Sequence, residues 1–244
     1  MSSIAPLRNH LLHSLPAAEF EAWLPRLEHV ELVREAVLVE AGGPLTHVYL
    51  PHSGVISLTV SLSAGETVEV AMVGRDSVFG AAAALDGRIS LTDAVVMLPG
   101  TASLMAVADF RAAADRSIAF RRLLVRHEQA LFAQAQQAAA CNASHSVEAR
   151  LSRWLLRARD LSGIENLPLT QEFMAQMIGA QRNAVSVVAH ALQQAGTIRY
   201  RRGHLEIIDL AALKATSCEC YPAVKAQYDR LLNPSNLRGG EWSG

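Results

Sequence analysis

Leu169-Thr170-Gln171-Glu172-Phe173-Met174-Ala175-Gln176-Met177-Ile178-Gly179-Ala180-Gln181-Arg182-Asn183-Ala184-Val185-Ser186-Val187-Val188 has the spacing of two short helices joined by a tight turn. Thr170 is placed to cap the first helix, because its hydroxyl can accept a hydrogen bond from a backbone N–H that has no partner within the helix. Phe173, Met174, Met177 and Ile178 then share one apolar face. Gly179 ends that helix, since glycine takes positive φ without steric cost and lets the chain turn sharply. The second helix is expected from about Gln181 to Gln194. Small Ala175 lets the helices approach, and Val185 and Val188 fasten the second to the first.

Downstream, Gly196 stops the second helix before Ile198-Arg199-Tyr200-Arg201-Arg202-Gly203-His204-Leu205-Glu206-Ile207-Ile208. This run reads as a two-stranded wing with Arg201, Arg202, Gly203 and His204 at its tip. A winged helix-turn-helix implies DNA binding, with an ordinary helical hairpin as the plainer alternative.

Working outward, residues from about Glu28 to Val107 are punctuated by glycines at 42, 43, 54, 65, 74, 80, 87 and 100, between short runs such as Val55–Val60 and Val68–Val73. Short strands with regular turns predict a sandwich or barrel. Two short helical stretches, near Pro6–Leu12 and Ala17–Leu24, precede it. From Asp109 glycine is absent until Gly163, and a long helix is expected. Phe120, Leu124, His127, Leu131, Ala135 and Ala138 follow a three-four spacing along one face, suited to packing against an identical helix. The same face could instead pack on the barrel of its own chain. A break around Cys141–Ser144 leads into a further amphipathic helix from Val147 to about Leu161, whose Leu151, Trp154, Leu155 and Leu161 would floor the helix-turn-helix unit. The expected architecture is α+β: a β-roll sensor-like domain over 1–116, a dimerisation helix over 117–143, a winged helix-turn-helix over 144–213 and a tail over 214–244.

Composition narrows the function classes. The chain of 244 residues is 50% hydrophobic, enough for one large or two ordinary cores. No apolar stretch is long and uncharged enough to span a bilayer, and Met1–Arg8 lack the charged start and apolar centre of an export signal, so a cytoplasmic location is expected. The net charge of −1 is uneven: residues 1–143 hold ten Lys/Arg against fourteen Asp/Glu, whereas residues 144–213 hold eight against six. The mildly basic segment is the one expected to read DNA.

Three cysteines, Cys141, Cys218 and Cys220, are too few for a disulfide framework. Cys218 and Cys220 offer two thiolates with no third or fourth ligand nearby in sequence, and His10 and His13, one helical turn apart, motivate a metal or haem site only weakly. No metal and no cofactor are therefore expected. A metal-dependent β-roll enzyme would need clustered histidines, but His47 and His52 stand five apart and no His-x-His occurs. Nor is there a nucleophile elbow or a phosphate-cradling glycine loop. The chain is not expected to be an enzyme.

The order β-roll, long helix, hinge, winged helix-turn-helix resembles the Crp/Fnr superfamily of bacterial transcription regulators, over about residues 15–213. The most specific match is Leu169-Thr170-Gln171-Glu172 through Gly179-Ala180-Gln181-Arg182-Asn183-Ala184-Val185, followed by Leu192-Gln193-Gln194-Ala195-Gly196-Thr197-Ile198. The resemblance implies a homodimer on a pseudo-palindromic double-stranded DNA site, with RNA polymerase as a further partner if the protein activates. Arg182 would read guanine. Gln181, Asn183 and Ser186 would also meet base edges, while Thr170, Gln171, Arg201, Arg202 and His204 would hold the DNA backbone.

Two departures follow from the same comparison. The best-known half-site is read by a glutamate where Asn183 stands and a second arginine where Val187 stands, so a different half-site is expected. In cyclic-nucleotide-binding members a glutamate holds the ribose and an arginine neutralises the phosphate. Here Gly80 and Ala94 match, but alanines take the glutamate's place and Thr92 the arginine's. A buried phosphate without a matched cation is heavily penalised, so cyclic AMP is not expected to bind in the usual way. Arg88 could compensate only if the loop were rearranged. An inert roll with constitutive DNA binding is the alternative. Iron–sulfur sensing is not expected either, since cysteines near the N-terminus are lacking.

Overall fold

The computed structural model describes residues 8–232. The start of the helix expected at Pro6–Leu12 and the Gly-rich end of the tail lie outside them. Two short helices, α1 (His10–Ser14) and α2 (Ala17–Trp23), lead into strands β1 (Glu28–Leu32), β2 (Val37–Val39), β3 (His47–Pro51), β4 (Val55–Ser61), β5 (Thr67–Val73), β6 (Asp93–Leu98) and β7 (Gly100–Ala106). They form two antiparallel sheets, β1-β7-β3 and β2-β6-β4-β5, closing the β-roll. Ile56, Leu58, Ala71, Val73, Phe79, Ala94 and Val96 fill it.

One irregularity in that roll shapes the rest of the molecule. Leu58 pairs with Ala71, but Thr59 pairs with Glu69, so the ladder slips between them. A bulge of this kind changes which face the following residues point to. Ala71 and Val73 point into the roll, whereas Glu69 lies with Ser57 on the outer face.

The chain then enters α3 (Val107–Arg116) and α4 (Ile118–Ser144). Ser117 caps α4 by accepting from the Phe120 N–H at 3.2 Å and donates to Glu19 at 3.0 Å. Trp23, Phe110 and Phe120 meet edge to face, with centroids 4.9 to 5.6 Å apart, and clamp α2, α3 and α4 together. Here the structure corrects the expected intersubunit seam. Phe120 and Leu124 are buried in this cluster with α1, α2 and the roll. His127 is buried as well, its Nε2 accepting from the Val78 N–H at 3.2 Å and lying 2.7 Å from Ser77 Oγ. Leu131 packs on the roll beside Tyr49 and Phe79, Ala138 is buried and Ala135 is half-buried. That face of α4 is covered by its own chain. The residues left exposed include Ile118 at 71%, Val125 at 45% and Phe132 at 65%.

Between α4 and α5 (Val147–Ser162) only His145 and Ser146 are non-helical, so α4 runs past the break expected at Cys141–Ser144. Ser146 caps α5 by accepting from the Ala149 N–H. The chain continues through β8 (Asn166–Leu167), α6 (Gln171–Met177), α7 (Arg182–Gln194), β9 (Ile198–Arg201), β10 (His204–Ile207), α8 (Leu210–Thr216) and α9 (Cys220–Leu232). The expected two-stranded wing gains a third strand, with order β8-β10-β9. Leu151, Trp154, Leu155 and Leu161 are all buried beneath it. The segment after 213 is not a loose tail within the described residues: α9 folds back along α4, placing Val224 and Tyr228 on Ala130.

The core of the C-terminal half extends into the roll through Val55, Met72, Met97 and Leu98. Gly74 shows how close this approach is, since a Cβ there would lie 2.6 Å from Leu161 Cβ. Two polar contacts reinforce it. Trp154 Nε1 donates to Glu69 Oε1 at 2.8 Å, and Arg157 donates to Asp76 at 2.8 Å while lying 4.7 Å from the Tyr228 ring centroid. Among the described residues no helix is long and apolar enough to cross a membrane.

Candidate DNA-reading surface and the sensor half

Thr170 caps α6 as its sequence position predicts, its hydroxyl accepting from the Phe173 N–H at 3.1 Å. Met174, Ala175, Met177 and Ile178 are buried, and Gly179 makes the turn at φ +60°. Arg150 on α5 donates to the carbonyls of Ile178 and Gly179, fastening the turn from behind. Val185, Ala189 and Leu192 seat α7 in the core.

The opposite face of α7 carries Arg182, Asn183, Val187 and His190, all exposed, with Ser186 half-buried; Gln181 sits exposed at the helix start. Arg182 lies 3.5 Å from Glu172, but both side chains are about two-thirds exposed. Such a surface pair is weak and leaves the guanidinium available. Val187 is 71% exposed in the middle of an otherwise polar face.

At the wing, Arg202 and Gly203 take positive φ of 49° and 77° and close the β9–β10 hairpin. Arg201, Arg202 and His204 are exposed there. A Cβ on Gly203 would sit 3.7 Å from the Thr170 side chain, so the wing tip lies against the start of α6 beside Gln171. Gln193 accepts from the Tyr200 N–H at 2.7 Å, which ties the wing to α7. The base-edge candidates share one helix face, and the phosphate candidates flank it. On the roll side, Leu62, Gly65 and Glu66 of the β4–β5 hairpin face Gln176, Gln181 and Arg182 across a cleft of about 670 Å³.

The sensor half is arranged differently. Gly80, at φ +89°, opens a single helical turn over Ala81–Leu85; a Cβ there would come within 3.0 Å of the His47 carbonyl. Ala81, Ala83 and Ala84 are buried, and the Ala83 carbonyl accepts twice from Arg111, at 3.1 and 2.7 Å. The Arg88 side chain is 82% exposed and lies 3.9 Å from Asp86. Thr92 accepts from Ser90 Oγ through its backbone carbonyl at 2.6 Å. The Arg88 side chain therefore stands in solvent and not in an enclosed site. Between roll and α4, Tyr49 and Phe79 stand 6.1 Å apart and pack with Leu131.

Two features escaped the sequence reading. One is Glu69, buried and bonded to Ser57 at 2.6 Å and to Trp154 at 2.8 Å. Burial pushes its carboxyl up to about 7, against those two hydrogen bonds and the charges of Arg153 and Arg157. Strict alternation along Val68–Val73 would group Glu69 with Ala71, and nothing in the sequence announces the bulge. The other concerns the cysteines. Cys218 and Cys220 do have third and fourth donors beside them, Cys141 and His145, and the four donor atoms lie within 4.8 Å of one another. The signal was the Cys141-x-x-x-His145 spacing, one turn at the end of α4.

The sequence matches a cyclic nucleotide-binding domain over residues 29–117 and a Crp-like helix-turn-helix domain over residues 149–216, together well over half of the chain. Among curated proteins no sequence matches significantly. Solved structures share the fold at low identity. FixK2 from Bradyrhizobium japonicum is 16% identical with a TM-score of 0.67, covering 79% of this chain and 98% of its own. A Crp/Fnr-family regulator from Eubacterium rectale is 15% identical with a TM-score of 0.64, covering 84% and 96%. The c-di-GMP responsive global regulator CLP of Xanthomonas campestris is 14% identical with a TM-score of 0.62, covering 80% and 100%. With both domains in this order, and a helix-turn-helix whose polar face is open, the chain belongs to the Crp/Fnr family of DNA-binding transcription regulators.

Proposed function

We propose that the protein acts as a homodimer on a pseudo-palindromic DNA site, with two α7 helices entering successive major grooves about one helical turn, ~34 Å, apart. The observation that carries this reading is the open face of α7. Arg182 is suited to guanine O6/N7, Asn183 to adenine N6/N7 and exposed Val187 to a thymine methyl, with Gln181 and Ser186 at the flanks. Thr170, Gln171, Arg201, Arg202 and His204 would set register through phosphates. The proposed bounds are 144–213 for the DNA-reading unit and 1–116 for the roll domain, of which residues 1–7 lie outside the described residues.

The dimer seam proposed here is the exposed face of α4. Ile118, Val125, Phe132 and Ala139 recur every seven residues, alternating with Arg122, Gln129, Gln136 and Ala143, and all eight are exposed. This is the spacing of a two-helix seam, with small alanines towards the C-terminal end.

The roll does not take cyclic AMP in the usual way. Exposed Arg88 leaves a phosphate without an enclosed cation, and Leu131 with Tyr49 and Phe79 packs the space between roll and long helix. The same packing favours constitutive DNA binding. RNA polymerase is a partner if the protein activates.

Selection of a random DNA library at about 0.15 M salt, with and without cyclic nucleotides, tests the reading. A palindromic motif without ligand is the expected result. A motif that appears only with cyclic AMP would overturn the account of the roll, and enrichment of single half-sites would overturn the dimer.

A further inference from the structure

We infer that Cys141, His145, Cys218 and Cys220 form a tetrahedral Cys3His site for a zinc ion that staples the α4–α5 hinge to the start of α9. Cys141 lies in the last turn of α4, His145 is the first residue beyond it, Cys218 precedes α9 and Cys220 opens it. The chain thus brings two segments 77 residues apart to one point.

The geometry fits a single ion. Cys141 Sγ and Cys218 Sγ are 3.6 Å apart, and Cys220 Sγ is 3.6 Å from His145 Nδ1. Zinc bonds of ~2.3 Å to sulfur and ~2.0 Å to nitrogen place tetrahedral ligands at about 3.8 Å for a sulfur pair and about 3.5 Å for a sulfur–nitrogen pair. With every donor within 4.8 Å of the others, the cage is too tight to enclose several irons.

The surroundings are those of a built site. His145 presents Nδ1 to Cys220 while its Nε2 lies 3.1 Å from Glu219 Oε1. A carboxylate on the far ring nitrogen fixes the tautomer and turns the lone pair towards the metal. Gln137 Nε2 donates to Cys220 Sγ at 3.0 Å. All three cysteines are buried. Three thiolates around Zn²⁺ leave one net negative charge, and the positive charge of Arg153 acts on Cys141. Binding releases the three thiol protons to solvent. A Cys141–Cys218 disulfide would use two of these groups and leave the aim of His145 and Cys220 unexplained.

Thiolates with one imidazole select zinc over hard cations, and four protein ligands leave no open position for substrate or water. The ion's work is therefore mechanical. It joins the end of the long helix, the two-residue hinge and the helix that returns along α4, and so fixes the direction in which α5 leaves. None of the four ligands lies on the DNA-reading face, so the site stands or falls apart from the proposed DNA chemistry.

The test uses the full chain, purified under reducing conditions and titrated with Co²⁺ and then Zn²⁺. The expected result is one ion per chain, with the thiolate-to-cobalt charge-transfer band and intense visible bands of tetrahedral cobalt, both abolished by zinc. Cys220→Ser and His145→Ala are expected to lose this spectrum. Should they fail to fold by circular dichroism, Glu219→Gln, whose side chain is 77% exposed, is expected to fold and to bind about 10–100-fold more weakly. A reduced wild-type chain that takes up no stoichiometric metal would overturn the site, as would folded ligand variants or Glu219→Gln binding as tightly as wild type.

Discussion

Trp154 Nε1 donates to Glu69 Oε1 at 2.8 Å, and this bond joins the DNA-reading half of the chain to the β-roll through a buried carboxyl. The Glu69 carboxyl is raised from 4.5 to about 7, so between those values the folded chain holds a proton that the unfolded chain has released. Its contribution to stability is fully present below about 4.5 and is lost as pH rises through about 7. The melting temperature of wild type is expected to fall between pH 5 and pH 8 relative to that of Glu69→Gln, which has no carboxyl to titrate. Parallel pH profiles for the two proteins would refute this.

Arg157 and Asp76 form a second link across the same junction, with both side chains mostly buried. Arg157→Leu strands the carboxylate and is expected to destabilise the protein by about 3 kcal/mol. Adding Asp76→Leu removes the stranded charge and is expected to restore part of the loss. Urea unfolding of the single and double variants measures both, and a double variant no more stable than Arg157→Leu would contradict the argument.

The two faces of α4 separate stability from assembly. Leu124→Ala opens a cavity in the Trp23–Phe110–Phe120 cluster and is expected to cost about 2–5 kcal/mol of folding stability while leaving the dimer intact. Phe132→Glu is expected to do the reverse, giving a folded monomer in sedimentation velocity. A dimer that survives Phe132→Glu would place the seam elsewhere.

On the DNA face, Arg182→Ala is expected to cost about 1–3 kcal/mol and to relax preference at one base position. Arg201→Ala should weaken all sequences alike and lower the salt slope by about one. Competition binding across a set of single-base variants distinguishes the two. Unchanged preference in Arg182→Ala would mean that α7 does not read through that residue.

The helix-turn-helix was legible because its packing is local. The Thr170 cap, small Ala175, the Gly179 turn and inward Val185 all act within twenty residues, so spacing alone carries their geometry. The long helix was half legible. Phe120, Leu124 and Leu131 lie on one apolar stripe and Ile118, Val125 and Phe132 on another, and periodicity reveals stripes without saying which one the chain itself will cover.

What the sequence determined by itself was the order of parts and the chemistry of the reading helix, because turns, caps and helix faces are set by neighbours along the chain. The tertiary structure decided three things. It covered the first stripe of α4 with the roll, which left the second exposed. It turned Glu69 outward through a bulge, where Trp154 could reach it. And it brought Cys141 and His145 to Cys218 and Cys220. Each depends on groups far apart in sequence arriving at one place, which requires the packing of whole elements and cannot be read from local spacing.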